Sequence, residues 1–269
     1  MILLNGSPET RIDIADRGFQ YGDGCYTTML ARHGKILALP LHIARLMSNT
    51  QALAINVSNW QEIESWVNDV ALSTESDNNA VIKVLVSRGV GGRGYSPSGC
   101  SSPTIVVSSH AFPPAYSLWK EKGINTLILD TQLGLSPLAG IKHLNRLEQV
   151  LIKKEVEERG ADDGLVCDLN GNLVEASASN IFWRKGRTLY TPDLTLSGVE
   201  GTMRRQIIES APDCGYQVEI AIEKPDVLWD ADEVFITNAV MGIVPIRCIE
   251  RTNYNDFDAC RALTLRLNA

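Results

Sequence analysis

The segment 140–147, Gly-Ile-Lys-His-Leu-Asn-Arg-Leu, places a lysine directly after the mainly apolar loop 135–140. Leu144, Leu147 and Leu151 recur at helical spacing, so we expect Lys142 at the start of an amphipathic helix. Burial between an apolar loop and an apolar helix face lowers the pKa of a lysine and makes it a nucleophile that can form Schiff bases. The alternative, from this segment alone, is a lysine whose head group reaches solvent.

Two other segments have residue types that bind phosphate. Arg45 lies beside the apolar side of a predicted helix, and a guanidinium binds phosphate through paired hydrogen bonds. The segment 197–204 has glycines before a predicted helix start, where free backbone N–H groups can hold an anion. The alternatives are a solvated arginine and an ordinary glycine turn.

A carboxylate and a glycine-rich loop complete the set of candidates. Glu175 lies among small and apolar residues, where a carboxylate needs a cationic partner such as a protonated pyridine nitrogen. A solvent-facing glutamate at a strand end is the alternative. The loop 87–95 contains four glycines and two arginines, so it could close over a substrate that carries carboxylates, or it could be a structural turn.

Strand-like and helix-like stretches alternate along the chain, which favours a mixed α/β (α+β) fold. Pro113 and Pro114 disfavour both helix and sheet, so we predict domains over 1–111 and 119–269, joined by a linker over 112–118. The second domain is expected to carry Lys142. The predicted strands are 36–39, 81–86, 104–107, 126–129, 164–168, 173–175, 218–220, 234–236 and 243–246, and the predicted helices are 40–53, 58–70, 142–160 and 201–211.

The net charge and the cysteine and histidine content limit which kinds of partner and metal site are expected. The net charge of −7 over 269 residues argues against nucleic acid or an anionic membrane as the main partner, although a local basic pocket could still bind an anionic small molecule. The six cysteines form no C-x-x-C pair, which is typical of reduced thiols in a cytoplasmic protein. The four histidines have no metal-binding spacing, so we expect no metal.

Taken together, these residues resemble the fold-type IV pyridoxal-phosphate enzymes, which include branched-chain aminotransferases, D-amino-acid aminotransferases and aminodeoxychorismate lyases. The resemblance covers nearly the whole chain, from 16–24 to 237–241. It implies a two-domain fold like that of D-amino-acid aminotransferase, a homodimer, and pyridoxal 5′-phosphate as cofactor. The implied cofactor residues are Lys142 for the Schiff base, Arg45 for the phosphate, Glu175 for the pyridine nitrogen, and the phosphate-contacting segments Gly201, Thr202, Met203 and Asn238, Ala239. Threonine is frequent in the aminotransferases where this chain has Ala239, so a hydroxyl contact is lost there.

Within the family, the segments 26–28, 87–95 and 138–150 look most like the aminodeoxychorismate lyases. This likeness implies conversion of 4-amino-4-deoxychorismate to 4-aminobenzoate and pyruvate, a step toward folate. The catalytic residues would be Lys142 and Thr28, and the substrate-binding residues Tyr26, Arg88, Arg93 and Tyr95. An aminotransferase acting on D- or branched-chain amino acids is the alternative with the same cofactor residues, and a non-catalytic binding protein is the alternative from another class.

Overall fold

The computed structural model describes residues 1–268 and divides the chain into two compact units. The first unit is Met1–Phe112 together with Lys142–Asn145, and the second is Pro113–Ile141 with the chain from Arg146 onward. Two details differ from the predicted domains. Lys142 belongs to the first unit, and a helix begins at Ala115 inside the predicted linker. Pro114, directly before it, already has right-handed helical backbone angles, which the fixed φ of proline allows.

The first unit is built on an antiparallel sheet of six strands in the order β2-β1-β6-β5-β3-β4. Its core lies between one face of this sheet, which contributes Met29 and Ile82, and the helices, which contribute Leu46, Ile63 and Val67. The elements are β1 Ile2–Leu4, β2 Ser7–Pro8, α1 Arg17–Tyr21, β3 Gly24–Arg32, β4 Lys35–Ile36, α2 Leu39–Ala52, α3 Trp60–Leu72, β5 Ala80–Ser87 and β6 Thr104–Ala111.

Local signals explain the two long helices of this unit. Pro40 lies in the first turn of α2, where its fixed backbone angle suits helix initiation. Asn59 caps α3 by accepting a hydrogen bond from the Glu62 amide at 3.2 Å, which satisfies one of the donors left free at a helix start. Both helices occur close to their predicted positions.

The second unit contains a sheet of nine strands in the order β12-β11-β10-β13-β14-β7-β8-β9, with β15 paired to β14. The sheet closes on itself, because β9 also pairs with β10 through Glu175 and Asn180. Its elements are α4 Ala115–Lys122, β7 Ile124–Ile128, α5 Leu147–Glu158, β8 Asp163–Cys167, β9 Leu173–Ala176, β10 Asn180–Lys185, β11 Thr188–Pro192, α6 Thr202–Ser210, β12 Gln217–Ala221, β13 Glu233–Asn238, β14 Gly242–Ile249, β15 Thr252–Asn253 and α7 Asp258–Asn268.

The predicted helix over 142–160 is wrong at its start. Helix α5 begins at Leu147, and residues 142–145 are not helical: His143 forms an antiparallel bridge with Cys25. The leucines that suggested an apolar face do not form one, since Leu147 is 73% and Leu151 is 51% exposed. Ile152 and Val156 form the buried side of this helix instead.

No helix within residues 1–268 combines the length and apolar character that crossing a membrane needs.

We expect Ile82→Ala to lower the free energy of unfolding by about 2–5 kcal/mol, because the substitution leaves a cavity in a closely packed core. Ile82 is fully buried in the core of the first unit. Leu72→Ala is the control, since Leu72 is 59% exposed near the end of α3 and should change stability by less than about 0.5 kcal/mol. Urea denaturation of both variants measures the difference, and equal losses would contradict this description of the core.

Candidate active site

Lys142 lies on a short extended segment that pairs with the start of β3. The Tyr26 amide donates to the Lys142 carbonyl at 3.0 Å, and the Leu144 amide donates to the Gly24 carbonyl at 3.0 Å. Asn145 adds a side-chain hydrogen bond to the Gly22 carbonyl. Backbone pairing, and not a helix, therefore fixes the position of the lysine.

The lysine side chain reaches the partly exposed face of β3. Along β3, Cys25, Thr27 and Met29 are buried, whereas Tyr26 and Thr28 are only half-buried, so the two sets lie on opposite faces. The Lys142 Nζ lies 4.6 Å from the centroid of the Tyr26 ring. Tyr26 and Thr28 thus share one face of β3, and Lys142 contacts that face at Tyr26.

A second lysine lies against the same ring. Lys83 of β5 places its Nζ 4.9 Å from the Tyr26 ring centroid, and its backbone pairs with that of Thr28 in the sheet. Lys83 gives no signal in the sequence, because nothing in the apolar strand 81–86 indicates that its lysine faces Tyr26.

Arg45 lies on α2, and its guanidinium contacts Thr27 of β3. Its Nη2 donates to the hydroxyl of Thr27, while its Nε is buried and has no hydrogen-bond partner among the described residues. Burial lowers the pKa of Arg45 to about 10, against the opposing influence of Tyr26 and Cys25. The group is therefore cationic at neutral pH and has an unused buried donor, which fits an anionic ligand.

Glu175 is a buried carboxylate at the point where the second sheet closes. Glu175 is 6% exposed, and its Oε2 accepts a hydrogen bond from the Val199 amide at 2.9 Å. The alternative of a glutamate facing solvent is therefore wrong. The carboxylate is oriented by the turn that precedes α6.

That turn has the properties of an anion site. A Cβ at Gly201 would overlap the Asn180 side-chain oxygen, so the close approach requires glycine. The Asn180 amide in turn donates to the Val199 carbonyl at 2.8 Å. Thr202, the first residue of α6, has a buried hydroxyl without a hydrogen-bond partner among the described residues. Its hydroxyl and the first N–H groups of the helix can receive a phosphate.

The segment 238–241 forms the turn between β13 and β14. The Asn238 side-chain oxygen accepts from the amides of Val240 and Met241 at 2.9 and 2.8 Å. Its amide nitrogen donates to the Ala178 carbonyl and the Ser179 hydroxyl, both at 3.3 Å. The Asn238 side chain is thus engaged within the protein, and a ligand contact at Asn238–Ala239 would come from the backbone.

The two arginines of the glycine-rich loop have different environments. Arg88 donates to both oxygens of Asp23 and to the carbonyls of Leu53 and Ala54. All its nitrogens therefore have protein acceptors. Arg93 is exposed, and so is Tyr95, which leaves their side chains accessible from solvent. Arg88 is a structural residue in this arrangement, because its donors are used within the protein.

Asp23 connects the loop to β3. It accepts from Arg17 and Arg88, each at 2.8 Å, and Arg17 also donates to the carbonyls of residues 94–96. Burial would raise the pKa of Asp23, but the hydrogen bonds from Arg88 and Arg17 outweigh it and hold the pKa below its ordinary value. The sequence alone does not reveal this cluster, since Arg17 and Asp23 lie more than 60 residues from the loop.

The described residues contain no group of three or more His, Cys, Asp or Glu side chains able to hold an ion. The buried donors at Arg45 and Thr202 fit a phosphate better than a cation. A phosphate-bearing organic cofactor is consistent with these groups and with the Glu175 carboxylate.

Comparison with known proteins decides the family. The model of the Amino-transferase class IV family matches residues 24–249. The chain belongs to this family. The class IV match confirms the resemblance drawn from the sequence, and it covers all the proposed site residues.

Similar members of the family include two lyases. The aminodeoxychorismate lyase of Vibrio harveyi is 39% identical over 247 residues, which is 91% of this chain and 90% of that protein. The protein of the same name from Bacillus subtilis (strain 168) is 31% identical over 94% of this chain and 88% of its own length. The crystal structure of 4-amino-4-deoxychorismate lyase from Pseudomonas aeruginosa has a TM-score of 0.92 and 32% identity, covering 100% of this chain and 98% of that one. The mixed α/β fold of this chain is therefore that of fold-type IV enzymes.

We expect Arg88→Ala to lower the free energy of unfolding by about 3 kcal/mol, because it removes one partner of the partly buried Asp23. Arg93→Ala is the control and should stay within about 0.5 kcal/mol of the parent, since Arg93 is exposed. Chemical denaturation near pH 7 measures both values.

The stabilisation that comes from the ion pair between Arg88 and Asp23 should depend on pH. Because the pKa of Asp23 is lowered on folding, its stabilisation is present above the unfolded-state pKa and is lost as pH falls through the folded-state pKa. The deficit of Arg88→Ala should therefore shrink below about pH 4. A deficit that is constant from pH 7 to pH 3 would mean that Asp23 is not the partner that matters.

Proposed function

We propose that this protein is a pyridoxal-phosphate-dependent lyase that converts 4-amino-4-deoxychorismate to 4-aminobenzoate and pyruvate. Its relatives that carry the lyase name match nearly the whole chain. The observation that carries the proposal is the pairing of Lys142 with β3 at Tyr26, on the strand face that also presents Thr28. This arrangement combines a base with a hydroxyl, which an elimination needs.

We assign the cofactor to the residues that the family resemblance implies. Arg45 supports this assignment through its unused buried donor, and Thr202 through its buried hydroxyl. Glu175 supports it as a buried carboxylate able to hold a proton on the pyridine nitrogen. The proposed set is Lys142, Arg45, Glu175, Gly201, Thr202, Met203, Asn238 and Ala239, of which Asn238 acts through its backbone.

The protein's own groups then carry the proton transfers. Pyridoxal 5′-phosphate supplies an aldehyde that takes up the substrate's amine and a ring that accepts an electron pair. The amine of Lys142 removes the proton from the carbon that bears the substrate's amine. Glu175 keeps the pyridine nitrogen protonated. The proton that Lys142 has taken up then passes to the oxygen of the departing enolpyruvyl group, either directly from the Lys142 ammonium or through the hydroxyl of Thr28, which receives one proton as it gives another.

The substrate's carboxylates need cationic or hydrogen-bonding partners. We assign this role to Arg93 and Tyr95 of the exposed loop, together with Tyr26 on β3. Arg88 is left out of the set, because its donors are already used by Asp23 and two backbone carbonyls. Arg17 contributes indirectly, since it holds the carbonyls of residues 94–96.

Quaternary structure and compartment are also proposals. A homodimer is what the family resemblance implies, and the exposed apolar side chains of Leu147, Val150 and Leu151 on α5 are of the type found at protein interfaces. A cytoplasmic location is supported by the six free cysteines, which suit a reducing compartment.

We expect the purified protein to form 4-aminobenzoate and pyruvate from aminodeoxychorismate without an added keto acid. Its kcat/KM for this reaction should exceed the values for transamination of D-alanine and L-leucine. Lys142→Ala should lower kcat by about 10³-fold or more, since it removes the base. Faster transamination than lysis would replace the lyase proposal with the aminotransferase, and full activity of Lys142→Ala would remove this lysine from the mechanism.

Glu175→Gln should retain the cofactor and lose activity. Glutamine keeps an oxygen that can accept from the Val199 amide but has no charge to hold the pyridine proton, so kcat should fall on the order of tenfold or more. Cofactor absorbance, after desalting, and kcat are the two measurements. Retained absorbance with kcat within about twofold of the parent would overturn the role of Glu175.

A further inference from the structure

A chain of buried polar groups lies beneath Arg45. Thr27 of β3 and His42 of α2 are both almost completely buried. The Thr27 hydroxyl lies 2.7 Å from His42 Nδ1, and Arg45 Nη2 donates to the same hydroxyl. The Nη2 atom also lies 3.4 Å from Nδ1. Both polar side chains therefore meet one end of the guanidinium.

The directions of these hydrogen bonds follow from chemistry. A guanidinium can only donate, so the Thr27 oxygen accepts from Arg45 and its own proton is available for His42. Burial, and then the charge of Arg45, lower the pKa of His42 to about 3. The imidazole is thus neutral, and the donors facing Nδ1 place its proton on Nε2.

Neither partner compensates the charge of Arg45. Thr27 and neutral His42 are uncharged, and Arg45 forms no ion pair with a carboxylate in the part of the chain that the structure describes. Its Nε remains buried without an acceptor there. Thr27 and His42 therefore orient the guanidinium of Arg45 but leave its charge and its Nε donor for an external anion.

The arginines that contact Asp23 have a different kind of partner from Arg45. The Arg17 and Arg88 guanidinia meet a carboxylate, so their charge is neutralised within the protein. Arg45 alone of these three is held only by neutral groups. A flexible side chain that is fixed before the ligand arrives loses less conformational entropy on binding.

We propose that Thr27 and His42 are positioning residues for the cofactor phosphate, which hold Arg45 so that its Nε edge receives a phosphate monoester. This inference rests on the proposed function, because the phosphate is that of pyridoxal 5′-phosphate. Thr27 and His42 act through Arg45 and do not themselves touch the ligand.

The test compares two aldehydes that differ only in the phosphate, pyridoxal 5′-phosphate and pyridoxal. Each is titrated into cofactor-free protein, and absorbance or fluorescence gives its Kd. Thr27→Val should weaken binding of pyridoxal 5′-phosphate by about tenfold and change binding of pyridoxal by less than about twofold. Thr27→Ser, which keeps the hydroxyl, should restore the affinity for the phosphate ester.

The Arg45→Ala background shows whether Thr27 acts through Arg45. Thr27→Val should have no further effect on pyridoxal 5′-phosphate binding there, because the group it orients is absent. Additive losses in the double variant would overturn the inference, and so would an equal loss of affinity for both aldehydes. Thr27→Ala repeats the measurement without the extra methyl group if Thr27→Val does not fold.

The outcomes separate this inference from the proposed function. A parent protein that binds neither aldehyde would contradict the cofactor assignment itself. A parent that binds pyridoxal 5′-phosphate tightly, with Thr27→Val and Thr27→Ala unchanged, would contradict only the positioning role.

Discussion

The hydrogen bonds between the segment 142–145 and the start of β3 are the constraint on which the candidate site depends. They set Lys142 beside Tyr26 and fix which way its side chain leaves the backbone. The pairing needs glycine at position 24, because a Cβ there would overlap the Val86 carbonyl and lie 2.8 Å from a methyl carbon of Leu144. Asp23, the preceding residue, is held by two arginines. The position of the Lys142 amine thus depends on backbone pairing with a sheet strand whose start is held by ion pairs.

Two arrangements of partly buried arginines in the first unit differ in whether a carboxylate neutralises the charge. Where Arg17 and Arg88 meet Asp23, the charges are satisfied internally and the product is a fixed loop. Where Arg45 meets Thr27 and His42, the partners are neutral, and no carboxylate among the described residues pairs with its charge. The residue types are alike in sequence, and only the chemistry of the acceptors distinguishes the two uses.

Sequence patterns predicted many of the helices and strands and the kinds of residue in the candidate site. Helices α2, α3 and α6 and strands β5 to β9 occur near their predicted positions, because capping residues and β-branched runs act locally. The glycines before α6 also indicated a turn. The apolar neighbours of Glu175 indicated burial but left a solvent-facing glutamate as the alternative. The family resemblance then joined distant residues that periodicity could not connect.

Other features depended on partners far along the chain. The leucines after Lys142 have helical spacing, but pairing with β3 overrides that preference for residues 142–145. Arg88 and Arg93 look equivalent in the loop, and Asp23, distant in sequence, decides between them. Thr27 and His42 gave no signal of their own, because their role exists only once β3 and α2 lie together.

The first unit is not one continuous stretch of sequence, because residues 142–145 belong to it. An N-terminal fragment that ends at Phe112 would lack the segment 142–145, which pairs with Gly24 and Tyr26. Gene recombination between relatives at that boundary would join β3 of one parent to the segment 142–145 of the other parent. Successful chimaeras should therefore inherit both pieces from the same parent, and the residues around 22–26 and 142–145 should diverge together during evolution.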